Sequence, residues 1–189
     1  MRHKYKTRGI VLSRTPLGEA NTLVMLLTPE LGLVHARAQG LRKSGAKLST
    51  ALTTFAERDI VLVRGKESWR VAGAVLIENW FARFGSAEAR ARAGRICNLL
   101  LRLVAGEARD RKLFPIVKGF FNALAALPQD AHESAEVLAA LRMLSALGLD
   151  AGTIPGEPSV FTQPLLIEVL KNKTKYISRI NHGLNASGL

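Results

Sequence analysis

The sequence predicts an α+β protein, with a five-stranded β-barrel over residues 1–80 and an α-helical bundle over residues 81–189. Apolar residues recur with a period of about two before Trp80 and of about 3.6 after it. Glycine and proline turns also divide the first part, and only the first part, into short segments of strand length. A chain of 189 residues is long enough for two small domains of this kind.

Five strands are predicted in the first part, and turn signals separate them. The turn Pro16-Leu17-Gly18 follows the first strand, and Pro29-Glu30-Leu31-Gly32 precedes the third. In the third strand small apolar residues alternate with polar ones, which indicates one buried face and one exposed face. The predicted strands are residues 7–14, 21–28, about 34–39, 59–64 and 68–77, with a short helix at 48–55. Five strands with a helix between the third and the fourth are typical of the OB-fold.

Four helices are predicted after the barrel. Ser86 can cap the first, Pro115 suits the first turn of the second, and Gly148 can end the third. The last helix is predicted to start near Pro164 and to continue without a break. Its predicted buried residues are Leu166, Leu170, Ile177 and Ile180.

The charge is concentrated on the predicted barrel. The formal net charge of the chain is +12, and residues 1–80 contribute +7 of it through 13 basic and 6 acidic side chains. A cationic excess on a small barrel favours a polyanionic partner, because Lys and Arg neutralise phosphates and release counterions. The sequence therefore predicts a nucleic-acid binder.

The candidate contact residues are cations on the surfaces that OB-folds use, namely the second and third strands and the loops after the first and fourth. For each cation taken alone, a solvated surface charge is the competing interpretation. Few aromatic residues are available for stacking, and Phe55 and Trp69 are better explained as core residues, so the expected contacts are mainly electrostatic. The predicted contact residues are Arg14, Arg37, Arg42, Lys43, Lys47, Arg64 and Lys66, with His35 and Gln39 beside Arg37 on the third strand.

The sequence carries no pattern that indicates covalent chemistry. The four histidines have no metal-ligand spacing, and the segment from Gly40 to Lys47 lacks the Walker pattern. Cys97 lies in an apolar helical pattern. We therefore expect a binding protein without a catalytic site, metal or cofactor. The absence of a signal peptide and of an apolar run of about 20 residues favours the cytoplasm.

Four blocks of the barrel sequence resemble the N-terminal domain of RecO, the bacterial recombination mediator. They are Arg-Gly-Ile-Val-Leu-Ser-Arg at 8–14, Leu-Gly-Glu-Ala-Asn at 17–21, Leu-Thr-Pro-Glu-Leu-Gly-Leu at 27–33 and Gly-Leu-Arg-Lys-Ser at 40–44. Further along, residues 141–149 are similar to the helix that closes the RecO helical domain, and Leu113-Phe114 resembles the start of an earlier family helix.

The resemblance implies a function as well as a fold. RecO proteins bind single- and double-stranded DNA, anneal complementary strands, and work with RecR to load RecA onto DNA coated by single-stranded-DNA-binding protein. The resemblance implies the same partners here, DNA-backbone contacts by the cations at 14, 37, 42, 43 and 47, and an apolar groove in the bundle for the acidic tail of the single-stranded-DNA-binding protein. It also implies association with the nucleoid. One departure concerns residues 148–158, which contain no cysteine, whereas some family members carry a four-cysteine zinc motif there.

Two other functional classes stay open. A protein-binding adaptor with the same barrel would keep its function after charge reversal at Arg37, Arg42 and Lys43. A ribosome-associated factor would instead prefer RNA, through contacts to the 2′-hydroxyl group.

Overall fold

The computed structural model describes residues 3–19, 21–39, 52–65, 68–104 and 110–189. The chain divides into two compact units. The first reaches Ala82 and includes Asp110 and Arg111, and the second contains residues 83–104 and 112–189. Among the described residues, no helix is both long enough and apolar enough to cross a membrane.

The first unit is a closed five-stranded barrel with the strand order β1-β2-β3-β5-β4. Its strands are β1 (Lys4–Leu17), β2 (Asn21–Thr28), β3 (Gly32–Gln39), β4 (Ala56–Arg64) and β5 (Trp69–Asn79). Neighbouring strands are antiparallel except β3 and β5, which are parallel and, within the described residues, pair through Ala36 with Trp69 and Arg37 with Arg70. This arrangement confirms the predicted fold class.

The predicted alternation of β3 is confirmed. Val34, Ala36 and Ala38 are buried in the barrel core, while Arg37 and Gln39 are exposed. The strand supplies small groups to the interior because a barrel of five strands leaves little room inside. The same pleat directs the polar side chains outward, so that β3 presents a cation on its outer surface.

The helix predicted at 48–55 falls partly outside the described residues. The part that is described, Leu52–Phe55, forms turns rather than a helix. Phe55 has a φ of 58°, in the left-handed region that a right-handed helix excludes. Its N–H donates to the carbonyl oxygen of Val11 at 2.9 Å, and its carbonyl oxygen accepts from the N–H of Trp80 at 3.1 Å. These bonds hold the turn at the entry to β4.

The second unit is helical. A short helix, α1 (Trp80–Arg83), precedes it and is followed by α2 (Ala87–Leu103), α3 (Leu113–Ala126), α4 (His132–Ala146), α5 (Gln163–Lys171) and α6 (Lys173–Ser187), with a 3₁₀ turn at Gln129–Ala131. The predicted cap of α2 is confirmed, because the Ser86 Oγ accepts from the N–H of Ala89 at 3.1 Å.

The prediction of one continuous last helix is wrong. The segment forms α5 and α6, which are separated at Asn172. Asn172 has φ −105° and ψ 14°, and its side-chain amide donates to the carbonyl oxygen of Glu168 at 3.0 Å. Asparagine competes with helical hydrogen bonding in this way. The apolar stripe therefore does not continue across the break, and Leu170 and Ile177 are 51% and 37% exposed instead of buried.

The loop between α4 and α5 is held by arginines from two helices. Arg142 of α4 is only 4% exposed, and its guanidinium donates to the carbonyl oxygens of Pro155, Pro158 and Val160 at 2.8–3.1 Å. Burial lowers the pKa of Arg142 to about 10. Arg179 of α6 donates to the carboxylate of Asp150 at 2.9 Å. Side-chain hydrogen bonds thus organise the loop between α4 and α5.

Candidate nucleic-acid interface

Arg37 and Arg70 lie side by side on the outer surface of the barrel. Arg37 points outward because its neighbours in β3, Ala36 and Ala38, are buried in the core. Arg70 is its direct partner in the parallel pairing of β3 with β5, so its side chain leaves the same face. Neighbouring strands are about 4.8 Å apart, and the two guanidinium groups can therefore reach one anion.

No acidic side chain among the described residues compensates this pair. Among the residues that the structure describes, neither Arg37 nor Arg70 takes part in an ion pair. Like charges on directly opposed strand positions destabilise a sheet. An anion between them would relieve this repulsion, and a phosphate oxygen is well matched to the planar guanidinium.

A third cation continues the same line across the sheet. Lys4 of β1 pairs with Val63 of β4, and Val63 in turn pairs with Arg70. Lys4 is exposed and lies two strand spacings, about 10 Å, from Arg70. We call Lys4, Arg70 and Arg37 the cationic row. Its direction crosses the strands, so that an extended polyanion could contact all three.

Sequence reasoning missed Lys4 and Arg70. A signal for Lys4 was present, because Lys4, Lys6 and Arg8 alternate with other residues at the period of a strand. Lys4 and Lys6 were placed before the first strand, which begins three residues earlier than predicted. Arg70 carried no comparable signal, since its significance comes only from its pairing with Arg37.

Arg14 lies on the other face of the sheet. It pairs with Val24, a core residue of β2, whereas its neighbour Thr15 pairs with Leu23, the β2 partner of Arg37. A β-bulge between Val11 and Ser13 causes this placement, because one extra residue reverses which side chains point outward. Arg14 is exposed, but the register does not bring it to the cationic row.

Arg64 is engaged with an aromatic ring. Its guanidinium carbon lies 4.7 Å from the centroid of the Trp69 ring, a cation–π contact. Tyr5 meets the same ring edge-to-face at 5.1 Å between centroids. Trp69 is buried, and so is Phe55, which confirms their predicted role in the core. Arg64 therefore covers the end of the core, and it remains exposed next to the cationic row.

Comparison with known proteins agrees with the barrel fold of residues 1–80. Residues 1–80, which include all five strands, match the family model for the recombination protein O N terminal domain. Residues 1–80 therefore carry the N-terminal domain of the RecO family. The cationic row thus lies on a RecO barrel.

The curated relatives carry the name DNA repair protein RecO. The protein from Dehalococcoides mccartyi is 33% identical over 115 residues, which cover 61% of this chain and 46% of the relative. The protein from Acaryochloris marina is 40% identical over 80 residues, 42% of this chain and 27% of the relative. The protein from Heliobacterium modesticaldum is 30% identical over 144 residues, which cover 76% of this chain and 51% of the relative. The chain spans about half of the length of such relatives, or less.

For several residues the predicted contact with DNA stays a prediction. Arg42, Lys43, Lys47 and Lys66 lie outside the described residues. His35, half-buried, and Gln39, exposed, lie on the outer face of β3 on either side of Arg37. His35 and Gln39 therefore extend the polar surface around Arg37.

The described residues offer no evident catalytic constellation. Within them, no group of three or more His, Cys, Asp or Glu side chains is placed to hold a metal ion. The thiol of Cys97 is buried, and burial raises its pKa far above the usual range of a thiol. A buried neutral thiol is a poor nucleophile.

Proposed function

We propose that the barrel binds the sugar-phosphate backbone of DNA through the cationic row. The observation that carries the proposal is the pairing of Arg37 with Arg70 without a compensating acid among the described residues. The net charge of +7 on residues 1–80 adds a long-range attraction for polyanions. Backbone contacts carry little sequence information, so the same surface would accept many sequences.

We further propose that the protein acts as a recombination mediator in DNA repair, at the nucleoid. Neutralising the phosphates of single and double strands would let it anneal complementary strands, since repulsion between two backbones opposes their approach. The names of the relatives and the RecO barrel support this role. The proposal involves no covalent chemistry and no cofactor.

The proposed protein partners follow from the family resemblance. They are RecR, the acidic tail of the single-stranded-DNA-binding protein and, indirectly, RecA. In the helical unit, a cavity of about 210 Å³ is lined by the cation Lys112 and by the apolar residues Ile116, Ala146 and Ile154. Such a lining would suit an acidic segment that carries an apolar side chain. We propose this cavity for the tail.

Binding to a labelled single strand tests the proposal. Fluorescence anisotropy at low salt would compare the protein with the Arg37→Ala/Arg70→Ala variant. Losing the charge-assisted bonds to one phosphate should weaken binding about tenfold. The control is Arg102→Ala/Lys175→Ala, which removes two exposed cations from the helical unit. Equal losses in the two variants would show that only net charge matters and would refute a local site.

A further inference from the structure

The outer face of β1, β4 and β5 contains a depression next to the cationic row. Its central line runs across three strands, since Lys6 pairs with Val61 and Val61 pairs with Gly73. The depression has a volume of about 350 Å³. Val61 and Gly73 contribute to its floor, Lys6 and Thr7 lie on the β1 side, and Val75 lies on the β5 side.

Gly73 leaves the floor open. A Cβ atom placed on Gly73 would have no other heavy atom within 4 Å. In a strand interior, a glycine often marks a place where a ligand approaches the backbone closely. Val75, two residues along β5, is 67% exposed and provides apolar surface at the rim. A flat apolar group could therefore rest on Val61 and Gly73 against Val75.

Cationic side chains of β1 lie along one side of the depression. Lys4, Lys6 and Arg8 are exposed on β1 and leave the sheet on its outer face, at spacings of about 7 Å. Lys4 belongs to the cationic row, and Lys6 lines the depression. A polyanion that follows Lys4 and Lys6 would pass directly beside the opening. Arg8 is engaged instead, because its guanidinium lies 3.9 Å from the buried carboxylate of Glu57.

A carboxylate on β4 also lines the depression. Asp59 lines the depression and is exposed, and among the described residues it takes part in no ion pair. A carboxylate cannot contact a phosphate favourably, but it accepts hydrogen bonds from the exocyclic amino groups of cytosine and adenine. The site therefore joins phosphate-binding, apolar and amino-accepting groups.

We propose that the depression receives one base of a single DNA strand whose phosphates contact Lys4 and Lys6. This inference rests on the proposed function, and it adds a basis for distinguishing single strands from duplexes. The bases of a duplex are stacked and paired, so placing one of them in the depression requires unstacking, whereas a single strand presents its bases freely. Asp59 would favour cytosine and adenine over thymine.

Filling the depression tests the inference. In Gly73→Val the new Cβ atom would have no heavy atom within 4 Å apart from its chain neighbours, and valine is compatible with a strand. We expect its affinity for a single strand to fall about fivefold and its affinity for the duplex of the same sequence to change less than twofold. The matched control, Ala72→Val, adds a side chain of the same size at an exposed neighbouring position outside the depression and should leave both affinities unchanged.

A fluorescent base gives a second readout. A single strand with one 2-aminopurine should change its fluorescence on binding to the protein and to Ala72→Val, and much less on binding to Gly73→Val. If single-strand affinity and 2-aminopurine fluorescence are the same in all three proteins, no base enters the depression. The backbone contacts of the cationic row would stand in that case. Failure of the wild-type protein to bind any DNA would instead refute the proposed function itself.

Asp59→Ala provides an independent test if Gly73→Val lowers the melting temperature. The measured quantity is the ratio of affinities for oligo-dC and oligo-dT, in which the general effect of the changed net charge cancels. We expect this ratio to fall at least threefold in the variant. An unchanged ratio would contradict the placement of a base beside Asp59.

Discussion

At the scale of single residues, the arginines of this protein serve two different purposes. Arg142 is buried, and its two terminal nitrogens donate to three backbone carbonyl oxygens, while the centroid of the Phe161 ring lies 4.7 Å from its guanidinium carbon. Arg37 and Arg70 are held side by side at the surface and find no acid among the described residues. A buried guanidinium with satisfied hydrogen bonds stabilises a fold, whereas uncompensated ones attract an anion.

Replacing Arg142 tests the first purpose. Arg142→Met keeps the apolar length of the side chain but removes the bonds to Pro155, Pro158 and Val160. We expect a loss of about 2–4 kcal/mol in the free energy of unfolding, because buried carbonyl oxygens lose a charged donor. Urea denaturation measures the loss. The control Arg102→Met, at an exposed position, should change stability by less than about 0.5 kcal/mol. Equal midpoints for the two variants would show that Arg142 does not hold the loop.

At the scale of elements, local signals determine which segments were predictable. The cap at Ser86 and the alternation of β3 depend on neighbouring residues, and both were predicted correctly. The break at Asn172 was missed, because an asparagine inside an apolar periodic pattern is compatible with a continuous helix until its side chain bonds to the backbone. The bulge between Val11 and Ser13 carries no glycine or proline, so the reversal that places Arg14 on the inner side could not be anticipated.

The cap of α2 gives a prediction at this scale. Ser86→Ala removes the acceptor for the N–H of Ala89, which lies 3.1 Å away. We expect the free energy of unfolding to fall by about 1 kcal/mol. Ser86→Asp retains an acceptor and should keep most of the stability, as chemical denaturation would show. If the two variants lost the same amount, the side-chain cap would contribute nothing measurable.

At the scale of the whole molecule, the five-stranded barrel and the excess of positive charge were predictable, but the composition of the site was not. Arg37 and Arg70 are far apart in the sequence, and only the short parallel contact between β3 and β5 brings them together. Lys4 joins them because β1 closes the barrel against β4. Tertiary pairing of this kind cannot be recognised in the sequence, whereas strand alternation and net charge can.

The salt dependence of binding to a DNA single strand tests the central claim most directly. The logarithm of the association constant should fall linearly with the logarithm of salt concentration, with a slope of about −0.7 per neutralised phosphate. The account predicts a slope at least 0.7 shallower for Arg37→Ala/Arg70→Ala, and an unchanged slope for Arg102→Ala/Lys175→Ala. Parallel lines for the wild-type protein and the Arg37→Ala/Arg70→Ala variant would contradict it, because the paired arginines would then contact no phosphate.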